Sequence, residues 1–431
     1  VAAVAAMSVE ERRRWLDPEW LLDPAEHRTI GRLSADERGD YERRFWLLND
    51  PFWLTPENES WNEHVARNVE SRLLAEVPVV AGMVRWGRDL DELTARYGVP
   101  VAFSRDGAFP TGTESPGIIQ HFDTAQRSYV PLRLSRGLAP QPPPGEHPPL
   151  YAARARSAYA LNSVARVVEL SHQVTRFVRG DSVIVRVDAA MPVALETDTV
   201  NAEAAQTPAA ARFEPAPPAA GLFVYDSAFT RRGSATGVAR IDGDTARISL
   251  FVAAPGGGLV YSAEMLGDTA SVAGRARYAL EAHIPDSGPV VSDLLITRRF
   301  DPGHSPDRLD DPSLRAFDSL IFRPGETVGI YAEVYRLRAG GAADVEVALE
   351  SAERPSLLGR LARWVGRGLG LVEPGDDPRV GWRGELQDAR YVVALNIPLP
   401  DTRSGMHDLV LRVTDPVTGE MTEARRRILI R

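Results

Sequence analysis

The stretch Arg323-Pro324-Gly325-Glu326-Thr327-Val328-Gly329-Ile330-Tyr331-Ala332-Glu333-Val334-Tyr335 decides the fold class. A proline–glycine turn opens it. Val328, Ile330, Ala332 and Val334 then alternate with Gly329, Tyr331, Glu333 and Tyr335. Successive side chains of a strand point to opposite faces, so a period of two marks a β-strand with one apolar face. The pattern recurs on both sides. Upstream, Val183, Val185 and Val187 alternate with Ile184, Arg186 and Asp188 after the turn Arg179-Gly180-Asp181, and Ile248, Leu250 and Val252 follow Asp242-Gly243-Asp244. Downstream, Leu409, Leu411 and Val413 lead into Asp415-Pro416-Val417-Thr418-Gly419, with Ile428 and Ile430 on the returning strand. Short alternating strands between Gly, Pro and Asp turns predict antiparallel sandwiches. The spacing predicts two, at 165–297 and 316–431, with a linker at 298–315 that contains Asp301–Pro312. The Ala/Pro-rich Asn201–Ala220 reads as a long mobile loop within the first.

Ahead of the strands the hydrophobic period is 3.6. Ser8–Glu11 and Ser34–Glu37 carry capping-box spacing, and Tyr41, Phe45 and Leu48 recur on one helical face. Asp50-Pro51 ends that helix. Thr55-Pro56-Glu57 predicts the next N-terminus, with Trp61, Val65, Val69 and Leu73 as its buried stripe. A third helix is expected over Asp89–Tyr97, with Leu90, Leu93 and Tyr97 inward, Asp89 as its capping acid and Gly98 at its C-terminus. The helical domain spans 8–135. A connector at 136–164 follows, with six prolines in the eleven positions 139–149. The whole reads as a multi-domain α + β chain, a helical domain followed by two antiparallel Ig-like β-sandwich domains.

Composition excludes several classes of function. The 431 residues contain no Cys, and every one of the 50 basic residues is Arg. Disulfides, thiolate metal sites, a cysteine nucleophile, a Schiff-base lysine and a Walker lysine are all absent. A net charge of −9 and a pI of about 5.5 speak against nucleic acid as a partner. No run approaches the apolar length of a membrane span. Val1–Ala6 reads equally as a remnant of an export-signal cleavage region or as an ordinary frayed terminus.

Glu42-Arg43-Arg44-Phe45-Trp46, Asp50-Pro51, Thr55, Asn58-Glu59 and Arg67 stand in an ER-x-FW…DP…T…NE…R order, followed by Trp86-Gly87-Arg88-Asp89 and Tyr97-Gly98-Val99-Pro100. Over about residues 34–100 this resembles the GWxTD-domain family of bacterial, mostly predicted exported, proteins, in which that domain is often joined to β-sandwich segments. Arg85 and Arg88 replace the Gly and Thr of the naming motif, and Leu90-Asp91 replaces the Arg-Gly that follows it. Trp86 and Asp89 are kept. The resemblance implies an exported accessory protein and carries no reaction with it. Its motif residues here, with a structural or partner-binding role, are Arg43, Phe45, Trp46, Asp50, Pro51, Asn58, Glu59, Trp86, Asp89, Tyr97 and Gly98.

Chemistry-bearing patterns are sparse. None of the eight histidines has metal-ligand spacing, and Glu59, Glu63 and His64 form the best local cluster, which a solvated helix face explains better. Asp50, Asn58, Glu59 and Asp89 could meet Arg43 or Arg44, either as a cleft lined by Trp46, Trp53, Trp61 and Trp86 or as a buried network that orders the helices. Gly256-Gly257-Gly258 lies between strands and reads as a turn. The acidic pairs Asp242/Asp244, Asp310/Asp311 and Asp376/Asp377 lack the spacing of a calcium loop. The basic amphipathic segment 356–371 offers Leu361, Trp364 and Val365 for partner docking, with peripheral membrane contact as a further use. No catalytic residue, cofactor or metal is expected.

The function expected is that of a non-enzymatic extracytoplasmic structural or protein-interaction protein. Its partners would be other proteins, with self-assembly into an envelope or extracellular structure as one version. The alternative is a carbohydrate- or peptide-binding accessory protein of an envelope enzyme system, with Tyr331 and Tyr335 as an outward aromatic pair.

Overall fold

The computed structural model describes residues 6–8, 10–11, 15, 17–22, 24–77, 86–100, 102–105, 118–121, 140–146, 166–193, 217–267, 272–301, 303–337, 341–352, 379–385, 390–401 and 404–431. The segment 356–371, with Leu361, Trp364 and Val365, lies outside the described residues, as does the loop 201–220 up to residue 216.

A 3-10 turn, Glu19–Leu21, precedes helices α1 (Pro24–Ile30), α2 (Ala35–Asn49), α3 (Glu59–Glu76) and α4 (Arg88–Tyr97). Ser34 and Glu37 form the expected capping box on α2, and Asp50 ends it. Ser8 and Glu11 make the same reciprocal contacts. The start of α3 differs from expectation. Its N-cap is Asn58, whose carboxamide oxygen accepts from Trp61 N at 2.8 Å, while the Thr55 hydroxyl donates to Phe52 O at 2.8 Å. The expected apolar stripe of α3 is also displaced. Val69 and Leu73 are 41% and 59% exposed, whereas Ser60, His64, Arg67 and Ser71 are the buried set. A helix buries whichever face another element covers, and on this polar face Arg67, Ser71 and His64 Nε2 find hydrogen-bond partners. Leu90 is buried in α4 as expected, and Leu93 and Tyr97 are only half-buried. Gly98 ends α4 at φ 81°, its N–H donating to Thr94 O. A hairpin of β1 (Ala102–Arg105) and β2 (Ile118–His121) follows, so the 8–135 span is not wholly helical.

The first sandwich packs two sheets. One holds β3 (Arg166–Glu169), β6 (Ala219–Asp226), β7 (Arg231–Val238), β10 (Gly257–Leu266) and β11 (Val272–Ala282) in the order β3-β11-β10-β6-β7. The other holds β4 (Ser171–Arg179), β5 (Ser182–Pro192), β8 (Arg240–Asp242) and β9 (Thr245–Pro255) in the order β4-β5-β9-β8. Val183, Val185, Val187, Leu222, Val224, Tyr261 and Met265 are among the side chains that fill its core. The tight turns fall where expected, with Gly180 at φ 63° and Gly243 at φ 60°.

The second sandwich repeats that plan. Its five-stranded sheet runs β14 (Ile321–Phe322), β20 (Met421–Ile430), β19 (Gly405–Thr414), β16 (Ala342–Ser351), β17 (Arg379–Glu385). Opposite it, β15 (Thr327–Tyr335) pairs with β18 (Arg390–Pro398) on one side and with β12 (Val290–Val291) and β13 (Leu295–Arg298) on the other. Both long sheets begin with a short strand that pairs in parallel with the last strand, β3 with β11 and β14 with β20, so neither sandwich is purely antiparallel. Val328, Ile330, Val334, Leu409, Leu411, Val413, Ile428 and Ile430 meet in this core, as their alternation predicts.

The pairing of β12 and β13 with β15 moves the junction between the sandwiches. Val290–Val291 and Leu295–Thr297, expected in the first, and Arg298, expected in the linker, pair with β15 of the second. The expected linker 298–315 is a packed segment, with Leu309 and Leu314 buried beside Phe177, Leu295, Phe300 and Tyr331. The helical region is likewise no free-standing unit. Leu21, Tyr41, Phe45, Trp46 and Trp53 share one apolar cluster with Phe223 and Val260 of the first sandwich.

Candidate functional site

The motif residues separate into two places. At the end of α2, Phe45 and Trp46 are buried, their rings 5.1 Å apart edge to face, and His64 of α3 lies 4.9 Å from Trp46. Asn58 joins the two helices, since its amide donates to Trp46 O at 2.6 Å while its oxygen caps α3. Burial, reinforced by the charge of Arg67, lowers the His64 pKa to about 3, so the imidazole is neutral at physiological pH.

The Asp50-Pro51 turn then descends onto the outer face of β10 and β11. Arg277 donates to Leu48 O at 3.0 Å, to Asp50 O at 2.8 Å and to Glu264 at 2.9 Å, and its guanidinium stacks 3.8 Å over the Trp53 ring. Arg275 donates to Pro51 O at 3.0 Å, and Leu54 N donates to Glu264 at 2.8 Å. Here is the buried Arg–carboxylate network that the sequence allowed, with different arginines. Arg43 is exposed beside Asp40, and Arg44 lies over Phe229. The cations come from a strand more than two hundred residues away. Burial pushes the Asp50 carboxyl up to about 8 and raises Glu59 in the same direction.

The second place holds Trp86. Its indole N–H donates to Asp91 at 2.9 Å, and Ser71 of α3 donates to the same carboxylate. Asp89 is exposed and makes no capping bond, and the N-cap of α4 is Gly87. The acid that holds Trp86 is thus Asp91. Arg67 fastens the other end of α4, donating to Ala95 O and Arg96 O at 3.3 and 2.8 Å and to Glu63 at 2.7 Å, with Gly98 packed against its guanidinium. Trp46, Trp53, Trp61 and Trp86 therefore do not line one cleft.

The seam between the sandwiches adds a network that the sequence reading missed. Tyr331, expected to face outward together with Tyr335, has no exposed surface, and neither has Glu333 between them. Tyr331 and Tyr335 donate to Glu333 at 2.7 and 2.6 Å, and Arg179 of β4 reaches it at 2.6 Å. Burial alone would raise the Glu333 pKa, but the bonds from Arg179, Tyr335 and Tyr331 outweigh it and hold the carboxyl below its usual range. Arg176 makes a bidentate pair with Asp293, and Arg186 one with Asp188 while also donating to Leu309 O and Leu314 O. The period-two signal names the residues of this face without saying that a second sandwich covers it.

A cavity of about 360 Å³ opens where both sandwiches meet the proline-rich segment. Pro142–Pro144 form one wall, Glu169, His172 and Tyr278 another, and Arg425, Arg426 and Arg427 a third. Gln141 ties the proline segment to His172 O at 3.1 Å, so the described part of the connector lies on the sandwich. Tyr278 donates to Glu169 at 2.6 Å and stacks on His172. Burial pushes Glu169 up to about 7. Among the described residues no group of three or more His, Asp or Glu could hold a metal ion.

No family model matches the chain, and no curated protein matches it. Among solved structures, it is similar to an alpha-2-macroglobulin of Salmonella (11% identity over 61% of this chain and 16% of that one, TM-score 0.18). It is also similar to a serine-rich repeat protein from Streptococcus agalactiae (8%, 60% and 92%, TM-score 0.16) and to the native conformation of E. coli alpha-2-macroglobulin (13%, 61% and 17%, TM-score 0.17). The chain thus spans about a sixth of the length of the two macroglobulins. Likeness at this level says nothing of activity. No helix among the described residues is long and apolar enough to cross a membrane.

Proposed function

We propose that the chain is a non-enzymatic extracytoplasmic protein that works through protein–protein interaction, as a rigid platform built from a helical region of the GWxTD kind and two Ig-like sandwiches. The observation that carries this reading is strand β7. It closes the five-stranded sheet of the first sandwich and, among the described residues, pairs on one side only, with β6. Its side chains are mostly exposed, up to 73% at Val238. An unpaired edge offers a row of backbone donors and acceptors to a strand from another protein. The ion pairs at both seams support the reading, because they hold that edge in a fixed orientation on the assembled body. The alternative of glycan binding loses its residues, since Tyr331 lies under the first sandwich and Tyr335 is engaged with Glu333 and Arg179.

The test places a photo-crosslinking residue at Thr236 in β7 and, as control, at Asp181 in the β4–β5 turn, within the full-length gene product in its own host. Crosslinks to a defined protein from position 236 and few from 181 are the expected result. Equal or absent crosslinking at 236 overturns the edge-strand reading, and recovery of the protein in the cytoplasmic fraction overturns the location.

A further inference from the structure

Arg426 of β20 stands apart from the other arginines around the cavity. Its neighbours Arg425 and Arg427 point to the outer face of the sheet, where Glu350, Glu423 and Asp408 pair with them. Arg426 shares the inner rank with Ala424 and Ile428 and forms part of the cavity wall. Its Nε and Nη2 are shielded from water and, among the described residues, have no acceptor. The nearest acids are committed elsewhere, Asp293 to Arg176 and Asp188 to Arg186. Burial presses its pKa below the ordinary arginine value, yet a guanidinium stays a cation at neutral pH. A half-buried cation whose Nε and Nη2 donors are shielded and unbonded is costly, and an anion recovers that cost.

The chain itself shows which anion fits. Arg176 holds Asp293, Arg186 holds Asp188 and Arg427 holds Asp408, each through the same Nε–Nη2 edge on two carboxylate oxygens. That edge is the one left unbonded on Arg426. We propose that the cavity binds a small organic monocarboxylate, which takes the Nε–Nη2 edge of Arg426 after a turn of the guanidinium toward the cavity. A single negative charge suits the site better than a phosphate does, because Glu146, Glu169, Asp318 and Asp408 also line it. The apolar part of the ligand lies against Pro142–Pro144, Leu320 and the Tyr278 ring. This site is independent of the β7 edge, which closes the other end of the sheet that supplies Glu169 and Tyr278.

The first arm of the test needs no ligand. Arg426→Met in the full chain melts at the same temperature as the parent or higher, because an unpartnered cation leaves the interior. A drop of several degrees makes Arg426 a structural residue and overturns the proposal. In the second arm, hexanoate raises the melting temperature of the parent and binds by calorimetry, while hexanamide and inorganic phosphate do so at least tenfold more weakly. Arg426→Met, and Arg426→Gln as a polar replacement, each lose at least tenfold in hexanoate affinity. Equal binding of acid and amide, tighter binding of phosphate, absence of hexanoate binding, or full affinity in both variants overturns the assignment.

Discussion

Two strand pairs at equivalent places in the two sandwiches carry the same chemistry under different cover. On β10 and β11, Ser262, Glu264, Arg275 and Arg277 point away from the sandwich core, and the turn after α2 lies directly on them. On β19 and β20, Asp408, Arg412, Glu423, Arg425 and Arg427 point the same way and meet solvent. Arg277 and Glu264 have side chains 2% and 0% exposed, and Arg277 also serves two main-chain carbonyls. Arg412 reaches Glu346, Glu350 and Glu423 at 3.0, 2.6 and 2.7 Å, with exposures between 22% and 40%. In the exposed sheet water competes for every group, so the gain per pair is small. Under the helices each group depends on its partner, because water cannot replace it. The pair that looks poorer in ionic contacts is the one on which the fold depends.

Breaking the buried member has the largest expected effect. Arg277→Met leaves Glu264 and the carbonyls of Leu48 and Asp50 without their cation, and should cost about 3–5 kcal/mol in urea unfolding. A loss below about 1 kcal/mol would remove the distinction between the two faces. The same burial sets a pH dependence. Folded Asp50 keeps its proton until about pH 8, whereas an unfolded aspartate releases it near ~3.9. The folded state therefore holds more protons across that window. The contribution is complete below about pH 4 and is lost as pH rises through 8. Glu169, pushed up to about 7, acts in the same direction. Melting temperature should fall between pH 5 and 8.5, and Asp50→Asn should flatten that fall. An unchanged slope would place the titration elsewhere.

An intermediate case sharpens the scale. Arg179, 35% exposed, shares Glu333 with two tyrosine hydroxyls, so Arg179→Met should cost about 1–3 kcal/mol. Within the helices, Asp91→Ala should cost about 1–2 kcal/mol, because Trp86 and Ser71 both lose their acceptor, while Asp89→Ala should change stability by about 0.5 kcal/mol or less. Equal losses at the two positions would return the structural role to Asp89. Arg412→Met should have the smallest effect, about 0.2–1 kcal/mol and less in high salt. A loss near that of Arg277 would mean that the β19–β20 face is covered in solution.

Strands β5, β9, β15, β19 and β20 were legible because a period of two and a Gly-containing turn are local signals, and Val183, Val185, Val187, Val328, Ile330 and Leu411 all lie in the cores they predict. The ends of α2 and the C-terminal end of α4 were legible for the same reason. The α3 face was not, because Val69 and Leu73 are more apolar than Ser60, His64, Arg67 and Ser71 and still stay outside. What keeps the polar set inside is α4, whose C-terminal carbonyls accept from Arg67 and whose Asp91 accepts from Ser71. Asp89 was read as the capping acid of α4, but it makes no capping bond, and it is Asp91, two residues on, that accepts from Trp86. Of the candidate site, Asp50, Asn58 and Trp46 were recognisable. Arg277, Glu264, Glu169 and Arg426 were not, since no local pattern joins Asp50 to Arg277 or Glu169 to Arg426.

By itself the sequence determined the course of β5, β9, β15, β19 and β20 and of α2, which face of each of these strands is apolar, and several of the turns between them. Those features follow from side-chain direction, capping and backbone preference over a few neighbouring residues. Only the tertiary structure decided that 290–298 pairs with the second sandwich, that Tyr331 and Glu333 are covered, and that Arg277 rather than Arg43 meets the motif turn. Each of these depends on which distant layer removes a second, polar face from water, and burial of that kind is a property of two segments together.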